Sequence, residues 1–422
     1  VSEPVVITGV GAITPLGVGA PALHDCWAAG KCGIEEGVGR CRDFEPRDWL
    51  SKKEIRRTPR FAQLALAAAE EARTQAGWDD QMPCEPERVG CIVGTGIGAQ
   101  TTIESQTLKY VQRGSVAVPP LQVATALGNS AAVSLQLRYG IKGESYGVVG
   151  ACAAGAQAIG AAMRMIQSGE VDAMLVGGAE ASISDMVVAS LQILGAISQV
   201  GISRPFDRRR DGFVLGEGAG VLVLESAQLA RERGALELGH ILGYGASSDA
   251  FHVTAPCPDG AGSIQALRAA FRQAGIEPGD VQYVNAHGTS TPLNDRAETV
   301  ALKEAFGDHA YKMQVSSTKS TIGHLIGAAG AVEAIATLYA LQTRTAPPTI
   351  GLEEPEEGLD LNFVPGAAQP LREPEAGRPA IAISNSFGFG GHNTVLAMGP
   401  GATPLQKGDP AWKETEPSDE SF

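Results

Sequence analysis

The sequence predicts an α/β protein made of two layered halves of the same design. Three observations carry that prediction. Short apolar runs such as Val5-Val6-Ile7-Thr8 and Val89-Gly90-Cys91-Ile92-Val93 end in glycine-rich turns and lead into helical patterns. The chain is 44% hydrophobic but only 5% aromatic, so the core must be small aliphatic side chains with close backbone packing. Past Leu238 the order of elements begins again, which reads as an internal duplication. The two halves are expected at 1–238 and 239–400, and the Pro/Glu/Ser/Lys-rich stretch 401–422 is predicted to be a mobile tail.

In the first half, Val5 to Thr8 is a strand ending at Gly9-Val10-Gly11. A helix over Ala20 to Ala29 and an irregular polar stretch to about Lys53 follow. Phe61 to Ala76 is a helix, with Ala62, Ala65, Leu66 and Ala69 on one face. The strand Val89 to Val93 ends in Gly94-Thr95-Gly96-Ile97-Gly98-Ala99, a loose match to the dinucleotide-binding fingerprint. No strand ending in an acidic residue follows at the right distance, so the stretch reads as a close-packed turn. A Ser/Gln-rich segment, Pro119-Pro120 and a small helix precede the strand and turn that carry Cys152, whose helix runs to about Gln167. Asp172 to Gly178 and Gly220 to Glu225 read as buried parallel strands. In the second half, strands are predicted at His240 to Gly245, Val281 to Ala286 and Gln314 to Ser317, and helices at Ser263 to Gln273 and Ala328 to Leu341. Pro379 to Ser384 and Thr394 to Met398 close the half as a strand pair.

Composition narrows the function. A net charge of −14 argues against a general role on nucleic acid or an anionic membrane. Two local basic runs stand out, Lys52, Lys53, Arg56, Arg57 and Arg60, and Arg208-Arg209-Arg210; each is either a solvated surface or a docking site for an acidic partner. Seven cysteines with no C-x-x-C pair argue against a disulfide framework or zinc site and for a reducing compartment. No basic leader precedes the first strand, and the longest helical stretches carry Arg164 or Glu333, so a cytoplasmic chain without a membrane span is expected.

The chemistry centres on Gly147 to Gly160, where an apolar strand turns through small residues into an Ala-rich helix with Cys152 at its start. Small neighbours leave the sulfur uncovered, and a helix N-terminus favours the thiolate, so Cys152 reads as a nucleophile. His287 and His324 follow strand ends in Gly/Ser/Thr-rich turns of the second half, with Lys319 close to the latter. No carboxylate or cysteine pairs with a histidine at ligand spacing, so no metal is expected.

These stretches resemble the β-ketoacyl synthase family, condensing enzymes with the thiolase-like fold. The resemblance runs from about Val5 to Met398 and rests on motifs in family order. They are Val6-Ile7-Thr8-Gly9-Val10-Gly11, Gly150-Ala151-Cys152-Ala153-Ala154-Gly155, Arg204-Pro205-Phe206-Asp207 with Asp211-Gly212-Phe213-Val214, Ala286-His287-Gly288-Thr289-Ser290-Thr291, Lys319-Ser320 through Gly323-His324, and Asn385 to Gly391. The Cys–His–His set is that of the elongating branch, which takes substrates on the phosphopantetheine of acyl carrier protein and binds no cofactor of its own. The resemblance implies that Cys152 carries the acyl chain. It makes the N–H groups of Cys152 and Phe389 the oxyanion hole, and His287 and His324 the donors to the malonyl thioester. Lys319, with Glu298 and Asp295, orients the histidines; Thr289 and Thr291 bind phosphopantetheine; Phe389 gates the acyl pocket. The run from Lys52 to Arg60 becomes the carrier docking surface, and the implied assembly is a homodimer or a heterodimer with a chain-length-factor-like subunit.

Two departures bear on the acyl chain. The segment Gly195 to Ser203 is several residues shorter than is usual in the family, and Leu194 stands where the fatty-acid enzymes have an aromatic pocket residue. Asn294-Asp295-Arg296 is closer to polyketide ketosynthases, so both fatty-acid and type II polyketide or polyene synthesis stay open. Two alternative classes fit the residues less well. A non-catalytic chain-length factor shares the fold but lacks the cysteine; a cysteine hydrolase of α/β type leaves His287 and Lys319 unexplained.

Overall fold

The computed structural model describes residues 5–78, 81–374 and 377–401, so nearly all of the expected tail lies outside the described residues. The first half comprises β1 (Val5–Thr14), α1 (Ala20–Ala28), α2 (Lys52–Arg57), α3 (Arg60–Gln75), β2 (Val89–Thr95), α4 (Gln100–Arg113), α5 (Gln122–Ala126), α6 (Ser130–Tyr139), β3 (Ser145–Val149), α7 (Ala154–Gln167), β4 (Ala173–Glu180), α8 (Asp185–Ile193) and β5 (Gly218–Ser226). The second comprises β6 (Gly239–Ser248), α9 (Ala261–Ala274), β7 (Val281–Asn285), α10 (Pro292–Phe306), β8 (Gln314–Ser316), α11 (Ala329–Thr343), β9 (Ile381–Gly388) and β10 (His392–Pro400).

In the sheet, the first half lies in the order β1-β5-β4-β2-β3 and the second in the order β6-β10-β9-β7-β8. Each half pairs antiparallel, antiparallel, parallel and parallel along that order. The same topology is therefore built twice. The halves join where Val5–Ile7 of β1 pair antiparallel with Gly239–Ile241 of β6. Helices α7 and α11 pack against each other and against strands of both halves, while α3 and α9 cover the outer faces. Every residue of α11 from Ala329 to Gln342 is buried, as an all-round apolar helix requires.

Three expectations need correction. β1 does not stop at Gly9-Val10-Gly11 but runs on to Thr14. A Cβ at Gly9 would lie 2.0 Å from the Ala72 carbonyl oxygen, and one at Gly11 2.0 Å from that of Ala68, so these glycines seat α3 on the strand. β5 is antiparallel to β4, with Glu180 opposite Gly218, because the chain from 181 to 217 returns to the end of the sheet it left. An evenly apolar run carries no sign of direction. The Ser/Gln-rich segment holds α4, none of whose residues is buried, so no core-facing stripe marks it. Among the described residues, no helix is long and apolar enough to cross a membrane.

Candidate active site

Strand ends from both halves surround one cavity of about 580 Å³, lined by Cys152, His287, His324, Phe389, Thr289, Thr291 and Leu194 among others. Cys152 sits on a single 3₁₀ turn, Ala151–Ala153, between β3 and α7. Ala151 before it takes a left-handed φ of 48°, a conformation held only where the surroundings enforce it. The sulfur is more enclosed than the small neighbours suggested, since Cys152 is only 6% exposed. Burial pushes its thiol up to about 11; the Phe389 backbone N–H, bonded to the sulfur, and the charge of Lys319 pull the other way. Desolvation thus outweighs the Phe389 N–H and Lys319, so the thiol is raised and not lowered as expected. A Cβ at Gly388 would come 3.1 Å from the Cys152 nitrogen, so glycine lets the 388–391 loop reach the nucleophile's amide.

The two imidazoles lie edge to face, with ring centroids 5.3 Å apart. Lys319 Nζ donates to the His287 carbonyl oxygen at 2.6 Å and stands 3.3 Å from His287 Nδ1. An ammonium has only donors, so Nδ1 accepts and the neutral ring carries its proton on Nε2. His324 Nδ1 accepts from the Ile326 N–H at 3.3 Å, which places its proton on Nε2 as well. That Nε2 is buried without a partner among the described residues. Burial and Lys319 hold both imidazoles well below the ordinary histidine range, so both are neutral donors at pH 7. Phe213 packs edge-on against His324 at 5.2 Å.

The charge network differs from the expected one. Lys319 pairs with Glu333 of α11, not with Glu298 or Asp295, and both members of the pair are only 1% exposed. Glu298 acts on the backbone instead, accepting from the N–H groups of His287 and Gly288 at 2.8 Å each and from Asn385 Nδ2 at 3.0 Å. Asp295 pairs with the buried Arg210 at 3.2 Å and accepts from the Phe206 N–H at 2.9 Å. Glu333 is the partner that sequence reasoning missed. Its signal was a lone carboxylate inside an Ala-rich helix, a residue almost never buried without a partner.

Thr289 and Thr291 share a hydroxyl hydrogen bond of 2.9 Å, and Thr291 caps α10. Leu194 lines the cavity with Leu191 and Ala196. The short segment after it folds straight back onto Phe213: the Phe213 N–H donates to Ala196 and the Ser198 N–H to Phe213, at 3.0 and 2.9 Å. The loop carrying Phe389 is tied at its far side, Gly390 N–H to the Val253 carbonyl at 2.7 Å and Asn393 Nδ2 to Asp249 at 2.6 Å.

The basic runs separate. Lys52, Lys53, Arg56 and Arg57 are exposed on α2 and make no ion pair among the described residues. Arg60 does not belong with them, because its guanidinium grips the buried Glu217 through Nε at 2.8 Å and Nη2 at 2.7 Å. Arg208, Arg209 and Arg210 are likewise engaged, with Glu354, Asp207 and Glu356. No cluster of three or more His, Cys, Asp or Glu side chains suited to a metal occurs among the described residues.

Comparison with known proteins defines the class. The N-terminal domain model of the β-ketoacyl synthases matches residues 41–230 and the C-terminal domain model residues 238–353. The chain is similar to 3-oxoacyl-[acyl-carrier-protein] synthase 2 of Synechocystis sp., 41% identical over 93% of this chain and 97% of that protein. Its Coxiella burnetii counterpart is 39% identical over 93% and 98%. Among solved structures, the ishigamide ketosynthase/chain length factor superposes with a TM-score of 0.86 at 33% identity over 95% of this chain and 100% of that one. A type II polyketide ketosynthase in complex with its acyl-carrier protein, AntDE:AntF, gives 0.84 at 29% identity over 95% and 100%. The chain belongs to the β-ketoacyl synthase family: it has the thiolase-like fold and is an acyltransferase of the condensing type.

Proposed function

We propose that this enzyme joins an acyl chain held on Cys152 to malonyl-acyl-carrier-protein, with loss of carbon dioxide, to give a β-ketoacyl thioester two carbons longer. The observation that carries the reading is the cavity in which Cys152 meets two neutral imidazoles, each with its proton on Nε2. The Cys152 sulfur attacks the acyl thioester, a new C–S bond forms, and the carrier thiol departs with the cysteine's proton. The Cys152 and Phe389 N–H groups hold the oxyanion of that step. In malonyl thioester the carboxylate C–C bond then breaks, and its electron pair moves to an enolate oxygen held by the Nε2–H groups of His287 and His324. The enolate carbon attacks the Cys152 thioester, forming the new C–C bond and releasing the sulfur. Neutral donors suit this task, since an enolate gathers charge that was absent in the ground state.

Lys319 with Glu333, and Glu298 on the His287 backbone, position the pair; Thr289 and Thr291 face the phosphopantetheine arm, and Phe389 gates the pocket lined by Leu194. Carrier protein docks on Lys52, Lys53, Arg56 and Arg57. The solved complexes of related ketosynthases with an acyl-carrier protein and with chain length factors support a carrier and a second subunit as partners. The test is transfer of a radiolabelled acyl chain from carrier protein. Cys152→Ala should take up no label, whereas Cys152→Gln should still decarboxylate malonyl carrier; labelling of Cys152→Ala at the wild-type level would overturn the assignment.

A further inference from the structure

Glu180 ends β4 fully buried, and no cation pairs with it among the described residues. Its Oε2 accepts from the N–H groups of Gly96 at 2.7 Å, Ile97 at 3.3 Å and Gly327 at 3.2 Å, and from the Thr95 hydroxyl at 3.3 Å. Its Oε1 accepts from the Ser182 hydroxyl. Donors on every side and no acceptor are the surroundings of an ionised carboxylate. Burial raises the carboxyl above its ordinary range, and these donors oppose that rise without cancelling it. The turn at 94–99, whose glycines mimic a phosphate-binding loop, therefore offers its N–H groups to the chain's own anion.

The place of that anion matters. Gly96 and Ile97 line the cavity with Cys152, and Gly327 follows Ile326, whose N–H holds His324 Nδ1. Around it backbone segments approach closely at glycines. A Cβ at Gly327 would lie 2.1 Å from the Gly96 nitrogen, and Cβ atoms at Gly178 and Gly155 would lie 2.6 and 3.0 Å from the Gly327 oxygen. The end of β2, the start of the nucleophile's helix and the His324 turn thus meet at one point. The charge of Glu180 also acts on Cys152, disfavouring its thiolate.

We propose that Glu180 is a positioning residue of the condensing site, its carboxylate fastening the His324 turn of the second half to the cavity wall beside Cys152 in the first. The spacing between nucleophile and enolate donor is then set by one buried side chain. The inference rests on His324 acting as that donor.

The test compares Glu180→Ala and Glu180→Gln with wild type, each normalised to titrated Cys152. Decarboxylation of malonyl carrier gives kcat and KM, and iodoacetamide alkylation of Cys152 gives a pH profile. Glu180→Ala should lower the decarboxylation kcat about tenfold or more while KM stays within about twofold, as misplacement of a catalytic group does. Glu180→Gln keeps the shape and an acceptor oxygen and should recover most of that loss. Both variants should alkylate at lower pH than wild type, because both remove the negative charge. A Glu180→Ala kcat within about twofold of wild type would overturn the inference. So would equal losses in the two variants with an unmoved alkylation profile, the mark of a merely structural residue. If Glu180→Ala does not fold, an unmoved profile in Glu180→Gln suffices to overturn it. Wild-type enzyme that fails to decarboxylate malonyl carrier would sink the proposed reaction instead.

Discussion

Cys152 shows how one residue's surroundings can reverse a local rule. A helix N-terminus favours a thiolate, but here burial exceeds the pull of the Phe389 N–H and Lys319 and the thiol rises to about 11. Below that value the thiolate fraction grows about tenfold per pH unit. Iodoacetamide should therefore alkylate Cys152 at a rate that climbs from about pH 7 to about pH 10 without levelling; a plateau below about pH 9 would mean an activated thiol. Lys319 supports a second prediction. Glu333→Ala strands its ammonium in a site 1% exposed, which should cost roughly 3–5 kcal/mol in a urea titration. Glu333→Gln, which keeps an acceptor, should cost less. Cysteine and histidines were legible because each sits in a small-residue turn after an apolar strand. The Lys319 partner was not, because Asp295, Glu298 and Glu333 are all helix carboxylates and only tertiary packing decides which one meets the ammonium.

At the scale of elements, the repeat was legible and the directions within it were not. Apolar runs and Ala-rich helices gave most strand positions to within a few residues, yet β5 was expected parallel and α2, α4, α8 and α10 were unseen. Strand direction depends on where a connection returns, and α4 buries no face that a periodicity could reveal. Glycine proved the more informative residue once its neighbours were known. Gly11 reads locally as a strand end, but its missing Cβ makes room for the Ala68 carbonyl oxygen. Gly11→Ala should push α3 off β1 and lower stability by roughly 1–3 kcal/mol, as overpacking does. Gly279→Ala, where a Cβ meets nothing within 4 Å, should stay within about 0.5 kcal/mol of wild type in the same urea titration.

At the scale of the molecule, two surfaces stand apart from a chain of net charge −14. The first is apolar: Val111, Val116, Val123 and Val149 are 75%, 88%, 76% and 68% exposed, and β3, which carries Val149, ends the sheet with one edge unpaired among the described residues. Exposed apolar side chains together with an open edge would be covered if a second subunit packs there. Light scattering should find a particle of about twice 43.6 kDa, or a stable complex of this chain with a different subunit. The second surface is α2. Its one carboxylate, Glu54, is taken up by the Ser51 capping box and by Arg138, leaving Lys52, Lys53, Arg56 and Arg57 as uncompensated exposed cations. In an acidic protein such a helix steers an acidic partner while the remaining surface repels it, an effect on encounter that salt weakens. Changing the four residues together to Gln should raise KM for carrier-borne substrate about tenfold at low ionic strength, with the gap closing as salt is added. Arg60→Gln belongs to a different class, because its guanidinium holds buried Glu217: it should lower the unfolding midpoint, and any loss in carrier KM should not depend on salt. Equal salt dependence in the two proteins would mean that carrier protein docks elsewhere.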